Sequence, residues 1–264
     1  MTRRRLDAEL VRRGLAVSRA AAKEAVEAGN VRVGGSVAAR PATMVTADEA
    51  IDLVGDDVRP FVSRAGGKLA AALDRFGIDP TGMRCLDAGA STGGFTDALL
   101  QRGASHVIAV DVGYGQLAWS IRTDPRVTVL ERTNVRDLAR DSLPFAPELV
   151  VGDLSFISLT LVLPVLVDIA APDPTFLVLV KPQFEAGRAD VGSGGVVRDP
   201  AVWSRTIDEV IEAGAGLGLG ARAVMASPLP GPASNIEFVL QLGPGTASGA
   251  DVAAAVGEGM EWSA

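Results

Sequence analysis

Between residues 84 and 242, seven short apolar runs rich in Val, Leu and Ile alternate with helical segments and glycine-bearing turns. They are RCLDAG, HVIAVDV, VTVLE, ELVVGDL, TFLVLVKP, ARAVMASPL and IEFVLQL. Strands that alternate with helices specify an α/β fold, a parallel sheet covered on both faces. One helix is expected from Leu159 and another across 200–215. The last two runs are close enough in sequence to pair antiparallel, so the sheet is expected to be seven-stranded and mostly parallel, Rossmann-like in plan. Ligands then sit at the carboxyl ends of the strands.

The first strand runs into DAGASTGG at 87–94. This string fits the acid-x-G-x-G-x-G loop of S-adenosylmethionine enzymes, with Ser91 in the middle glycine position. It fits a dinucleotide GxGxxG loop with the same substitution, so alone it does not choose between them. Gly89 and Gly93 let the backbone approach a ligand, and Asp111 ends strand two, where a ribose hydroxyl would be held. Candidate cofactor residues are Asp87, Gly89, Ser91, Thr92, Gly93, Asp111 and Asp153.

Only three of the 25 basic residues are lysine: Lys23, Lys68 and Lys181. In a chain drifted toward arginine, a lysine marks a place where a compact ammonium is needed, or it has merely survived on a solvated face. Position decides. Asp153 ends strand four and Lys181 ends strand five, so both lie on the ligand edge. Glu237 begins the last strand; if that strand is antiparallel, it starts on the same edge. Lys68 sits in SRAGGKLAAALDRFG, a helix with Ser63 as expected cap and Leu69, Leu73 and Phe76 as its apolar stripe. Lys68, Asp153, Lys181 and Glu237 are the candidate catalytic set.

Net charge is −7, unevenly spread: residues 1–40 carry nine basic and four acidic side chains, a balance of +5. A basic head on an acidic body points to a polyanion partner. Leu6, Leu10 and Val11 recur at helical spacing, with Gly14 expected to end that helix. Ser18 caps a second helix whose apolar side is Ala21, Ala22, Ala25 and Val26. Gly29 stops it, and VRVGG at 31–35 reads as a strand and turn. This frame resembles the small RNA-binding domain named after ribosomal protein S-four, the alpha-L motif, over about the first fifty residues. Arg3, Arg4, Arg5, Arg12, Arg13, Arg19 and Lys23 in the head suit phosphate contacts. Arg3, Arg4, Arg5, Arg19, Lys23 and Arg64 are the candidate RNA-binding residues.

The order Lys, Asp, Lys, Glu is that of the FtsJ-like ribose 2′-O-methyltransferases. The whole chain from residue 3 to about 242 resembles the TlyA family, whose motifs appear as SRAGGKL at 63–69, DAGASTGGFTD at 87–97, DLSFISL at 153–159 and KPQFE at 181–185. The resemblance implies an S-adenosylmethionine-dependent methyltransferase fold and methylation of cytidine riboses in ribosomal RNA of one or both subunits. The family also carries a hemolysin label. The implied organisation is an RNA-binding domain at 1–58, a linker at 59–62 and a methyltransferase domain at 63–243. The Gly/Ala-rich tail at 244–264 lies beyond the resemblance and reads as a loose terminal helix. Ribosomal RNA or ribosomal subunits are the implied partners.

One cysteine, Cys85, rules out an internal disulfide and fits a reducing cytosol. One histidine, His106, argues against a His-based metal site or a Ser-His-Asp triad. No metal is expected. The start, MTRRRLDAEL, is charged and lacks a secretory apolar stretch, so a cytoplasmic location is expected. The most apolar run, 159–180, is broken by prolines and aspartates and does not read as a membrane span. Phe156 is placed either to stack on a target base or cofactor or to pack in the core. The glycine-rich loop at 187–197 is a candidate cover for the substrate. Competing classes are a membrane-lytic protein, a non-catalytic RNA-binding module and a nicotinamide dehydrogenase.

Overall fold

The computed structural model describes all residues except 1–2, 13–14, 17, 28, 47–48, 50, 54–60, 232–233, 247–248 and 264. The chain divides into two compact units, Met1–Ser63 and Arg64–Ala264. Gly14 and the expected linker residues Arg59 and Pro60 lie outside the described residues.

The first unit begins with strand β1 (Arg3–Arg5), which runs straight into helix α1 (Leu6–Arg12). Helix α2 (Arg19–Glu27) follows, and Ser18 Oγ accepts from Ala21 N at 3.1 Å as the expected cap. Gly29 leaves α2 at φ 77°, a left-handed turn that costs glycine little. Strands β2 (Val31–Val33), β3 (Ser36–Val37), β4 (Met44–Thr46) and β5 (Ile51–Leu53) complete the unit. β1 pairs antiparallel with β4, while β3, β2 and β5 form a second small sheet. Leu6, Leu10, Ala22, Val26, Val31, Val45 and Ile51 form the core between helices and strands. Fully burying a leucine such as Leu6 or Leu10 contributes about 1.5–3 kcal/mol.

The second unit opens with helix α3 (Ala65–Phe76). Its N-cap position is Arg64, without a side-chain cap, so the expected capping role of Ser63 is not realised. Ser63 Oγ is buried and makes no hydrogen bond, while the Arg64 carbonyl accepts from Gly67 N in the first turn. Leu69 and Leu73 are buried as expected. Next come β6 (Arg84–Ala88), α4 (Gly94–Gln101), β7 (His106–Val110), α5 (Trp119–Arg122) and β8 (Val127–Leu130). Then follow β9 (Leu149–Gly152), α6 (Leu163–Ile169), β10 (Thr175–Val180), α7 (Pro182–Glu185), α8 (Pro200–Gly216), β11 (Leu219–Ala226), β12 (Phe238–Pro244) and α9 (Val252–Ser263).

The sheet order is β11-β12-β10-β9-β6-β7-β8, and β12 alone runs against its neighbours. The expected seven-stranded, mostly parallel sheet is therefore present. β10 reads TFLVLV without alternation because helices cover both of its faces, and all but its first residue are buried. Chain order reverses between β6 and β9, the place where such sheets open a crevice at their carboxyl edge.

The end of the chain is the terminal helix expected within 244–264, but it is packed rather than loose. The last helix, α9, buries Ala255 and Val256 in the main core. A Cβ on Gly259 would come 2.9 Å from Ile236 Cγ2 and 3.4 Å from Phe238, so the glycine lets α9 lie close to its neighbours. Glu258 adds an ion pair with Arg75 at 2.9 Å.

Candidate active site

Strand register brings the candidate catalytic residues together. Val180 of β10 lies opposite Phe238 of antiparallel β12, so Lys181, just after one, and Glu237, just before the other, emerge at the same edge. Gly152 of β9 pairs with Val178 of β10 and with Ala88 of β6, which places Asp153 beside both Lys181 and the glycine loop.

Two lysine–carboxylate pairs result. Lys68 Nζ reaches Glu237 Oε2 at 2.5 Å, and both side chains are buried. Lys181 Nζ stands 2.6 Å from Asp153 Oδ1 and donates to Ser155 Oγ at 2.9 Å. Asp153 Oδ1 is buried and makes no aligned hydrogen bond, so this contact is a charge pair that leaves acceptor capacity open. Gln183 links the two pairs in sequence: it lies on α7, two residues after Lys181, and its Nε2 donates to Glu237 Oε1 at 3.4 Å. A Cβ at Gly231 would overlap the Glu237 carboxylate, so that position has room only for glycine.

A second link ties the strand ends. Glu185, the last residue of α7, accepts from Ser158 Oγ at 2.5 Å and from Leu159 N at 2.9 Å. Burial holds its carboxyl above the usual range, against the pull of those two hydrogen bonds. The segment thus anchored carries Ser155 and Phe156. Phe156 is 90% exposed, has φ 65° and lies 5.0 Å from the Phe184 ring. Core packing is excluded for it. Ser155, Gln183, Glu185 and Gly231 were not singled out from sequence; the first three stand inside the DLSFISL and KPQFE strings, three to five residues past a strand end, and that proximity was the available signal.

The glycine loop lies between β6 and α4. Gly89 has φ 87°, and a Cβ there would come 2.8 Å from the Asp153 carbonyl oxygen. Glycine is therefore required by the neighbouring strand end as well as by any ligand. Ser91 adopts φ 47°, exposed, and its N–H donates to Asp111 Oδ2 at 2.7 Å. Asp111 Oδ1 accepts from Gly113 N at 2.6 Å. A pocket opens here, lined by Ala90, Ser91, Asp111, Gln116, Leu117 and Glu131 among others. Apolar walls with carboxylates at the rim suit a nucleoside: Ala90 and Leu117 can face a base, and Asp111 keeps lone pairs for ribose hydroxyls.

The remaining cofactor candidates sit differently. Asp87 is fully buried and accepts from Thr96 N at 3.0 Å and Thr96 Oγ1 at 2.7 Å, fixing the first turn of α4. Burial pushes its carboxyl up to about 7, with the Thr96 hydrogen bonds opposing and Asp153 and Asp111 adding to the rise. It does not line the pocket, and neither do Thr92, Gly93 and Asp153. Thr92 O accepts from Ala118 N, and Gly93 caps α4 at φ 95°. Asp87, Thr92 and Gly93 shape the loop from behind, and Asp153 belongs to the pair with Lys181.

Other expectations resolve simply. His106 starts β7, at the far edge of the sheet, with Nε2 on Thr128 Oγ1. Cys85 is buried and its thiol is pushed up to about 12, chiefly by burial. The loop at 187–197 forms no helix or strand, and it is tied down: Asn235 Nδ2 donates to Gly195 O and Asn235 Oδ1 accepts from Val197 N. Among the described residues, no helix is long and apolar enough to cross a membrane, and no cluster of His, Cys, Asp or Glu is placed to hold a metal.

Comparison with known proteins decides the family. The chain is 55% identical over 240 residues to a 16S/23S rRNA (cytidine-2′-O)-methyltransferase, TlyA, of Mycobacterium tuberculosis, covering 91% of this chain and 90% of that one. The FtsJ-like methyltransferase family matches residues 61–244, and the S4 domain family matches residues 4–51. The chain belongs to the TlyA branch of the FtsJ-like methyltransferases. It is an S-adenosylmethionine-dependent methyltransferase with an N-terminal S4 domain. Hemolysin A of Brachyspira hyodysenteriae is 37% identical over 89% of this chain and 98% of its own. A solved structure from Streptococcus thermophilus, provisionally named a hemolysin, superposes with TM-score 0.77 at 36% identity, over 99% of this chain and 97% of that one.

Proposed function

We propose that the protein methylates cytidine 2′-hydroxyls in ribosomal RNA of the small and large subunits, with Lys181 and Asp153 at the reacting oxygen. The observation that carries this reading is the Lys181–Asp153 pair, 2.6 Å apart at the carboxyl edge of the sheet, beside the cofactor loop. A ribose hydroxyl is a poor nucleophile at neutral pH and needs its oxygen aimed and its proton given a destination. S-adenosylmethionine, when bound, supplies the methyl group on its sulfonium.

Lys181 contacts the 2′-oxygen and stabilises the negative charge that develops there. Asp153 orients the hydroxyl, and the Asp153–Lys181 pair takes up its proton. Ser155 holds the Lys181 ammonium at 2.9 Å until substrate arrives. Lys68 and Glu237 form the buried floor, and Gln183 ties Glu237 to the turn that carries Lys181. Asp111 and Ser91 hold the cofactor, with Asp87, Gly89, Thr92 and Gly93 shaping the loop. The exposed ring of Phe156 is placed for stacking on the target base. Arg3, Arg4, Arg5, Arg19, Lys23 and Arg64 contact RNA phosphates, all of them exposed.

The division of labour follows: residues 1–58 supply most of the RNA affinity, residues 63–243 the chemistry with Arg64 and Phe156 as further RNA contacts, and ribosomal subunits in the cytoplasm are the substrate. The experiment is a map of 2′-O-methyl ribose in 16S and 23S rRNA treated with wild-type protein or Lys181→Ala. New methyl cytidines with wild type alone are expected. Methylation at a base atom, or none at all with cofactor bound, would overturn the reading. Nothing in the geometry favours the lytic, dehydrogenase or non-catalytic readings.

A further inference from the structure

Two of the arginines proposed to meet RNA share one buried carboxylate. Asp7, in the first turn of α1, has Oδ1 accepting from Arg5 Nε at 3.1 Å and from Ala8 N at 2.8 Å. Its Oδ2 accepts from Arg5 Nη2 at 2.9 Å and from Arg19 Nη2 at 3.0 Å. Asp7 is buried, whereas the side chains of Arg5 and Arg19 are 48% and 61% exposed. The anchor is inside and both guanidiniums face water. The fork geometry with Arg5 fixes the plane of that guanidinium as well as its position. Both carboxylate oxygens are filled by these four donors, so Asp7 has little capacity left for any other ligand. Each guanidinium has five N–H groups; Arg5 spends two on Asp7 and Arg19 one.

From this we infer that Asp7 is a positioning residue for RNA binding: it holds Arg5 and Arg19 in one relative geometry, ready for phosphates. The inference rests on the RNA-binding reading of the head. A free arginine side chain loses rotamer entropy when it is fixed on a phosphate, and one already ordered by Asp7 has lost it on folding. Strand β1, which carries Arg5, also leaves Arg3 and Arg4 exposed, and strand alternation puts Arg3 on the face of Arg5. Glu9 on the same helix repeats the device: buried, it takes Arg12 in a fork at 2.8 and 2.6 Å.

The clamp predicts an effect opposite in sign to simple charge counting. Asp7→Asn raises the charge of a basic head by one, so bulk electrostatics predicts tighter RNA binding. The clamp predicts weaker binding, because Asn offers a single acceptor oxygen and no charge to two guanidiniums. The experiment measures full-length protein binding to unmethylated ribosomal subunits across salt concentrations, with circular dichroism and melting of each variant.

The expected result is about tenfold weaker binding by Asp7→Asn near 0.1 M salt and a salt slope shallower by about 1–2. Arg5→Ala/Arg19→Ala should weaken binding at least as much. Adding Asp7→Asn to that double variant should then change affinity less than twofold. Arg5→Lys and Arg19→Lys, which keep charge and lose the fork, should each fall between wild type and the alanine variants.

Four results would overturn the clamp. Asp7→Asn that binds as tightly as wild type or tighter would do so. So would a further loss of affinity on adding Asp7→Asn to the double alanine variant, which marks a structural role. So would unchanged affinity in the double alanine variant. Wild-type protein without salt-dependent binding would overturn the RNA reading of the head along with it. If Asp7→Asn fails to fold, the lysine variants carry the decision, and their equality with wild type would overturn the proposal.

Discussion

The ion pairs at the candidate sites of the two units are built in opposite senses. In the S4 head the carboxylates of Asp7 and Glu9 are buried and the guanidiniums they hold reach into water. In the methyltransferase body the lysines are buried: Lys68 is enclosed with Glu237, and Lys181 with Asp153. The head's pairs display charge, which suits a surface that must meet phosphates. These two lysine pairs withhold charge from water, which suits a site where one small oxygen must be addressed in a low dielectric. Lysine and arginine are divided accordingly. A planar fork serves the display, and a compact ammonium serves the enclosure.

The largest effect should come from breaking an enclosed pair. Lys68→Met leaves Glu237, which is 0% exposed, without its counter-charge. Removing one partner of a buried pair costs about 3–5 kcal/mol. Urea denaturation of the full chain should show this loss, and Lys68→Met/Glu237→Leu should recover much of it. Equal stability of Lys68→Met and wild type would show that the enclosure is energetically empty.

Next in size is Lys181. Lys181→Ala should lower single-turnover methyl transfer by about 10²–10³-fold. Lys181→Arg should fail as well, because a guanidinium is larger and keeps its proton. Binding to ribosomal subunits should change little in either variant, since Lys181 is not among the residues proposed to contact phosphates. An active Lys181→Arg enzyme would erase the distinction between enclosed ammonium and displayed guanidinium.

A smaller, pH-dependent effect isolates Asp87, an enclosed carboxylate with no cation. Its value is raised from 3.8 to about 7, chiefly by burial. A raised value means the folded state resists ionisation. The stability tied to this group is present below about pH 4 and is lost as pH rises toward 7. The melting temperature should fall across that window, and Asp87→Asn should flatten the fall. Identical pH profiles for the two proteins would mean the carboxyl ionises without penalty.

How much of this was legible follows from particular residues. Glu237 could be placed from sequence because strand direction alone brings the start of an antiparallel strand to the edge where Lys181 ends its own. Lys68 was legible as a lysine on a helix near the loop, but its partner was not. Strands β1, β4 and β5 are three residues each, too short to show a period, and RRR at 3–5 reads as charge before it reads as strand. Helix α9 reads as a loose terminal helix because its stretch is rich in Gly and Ala, Gly257 and Gly259 among them. Gly259 in fact makes room for Ile236 and Phe238, and that contact exists only in the fold. Phe156 was left between stacking and core because exposure is set by the turn at φ 65°, which no local pattern announces.

The smallest effect should come from the third lysine. Lys23 pairs with Glu27 at 3.8 Å on α2, one helical turn apart, and both side chains are more than half exposed. This pair neither displays a fixed group nor encloses one. Exposed i,i+4 pairs contribute about 0.3–0.5 kcal/mol. Arginine can do the same here, so Lys23 is a lysine that has survived without an environment that demands it. Lys23→Arg should shift stability by less than ~0.5 kcal/mol, within the usual range for surface changes. It should leave methyl transfer unchanged and subunit affinity within about twofold, because a phosphate contact needs only the charge. Melting curves and binding isotherms of Lys23→Arg beside Lys68→Arg and Lys181→Arg make the comparison direct. If all three substitutions were silent, burial would not be what sets lysine apart in this chain. If Lys23→Arg were as damaging as the other two, the head would contain an enclosed ammonium of its own, and its contrast with the body would fail.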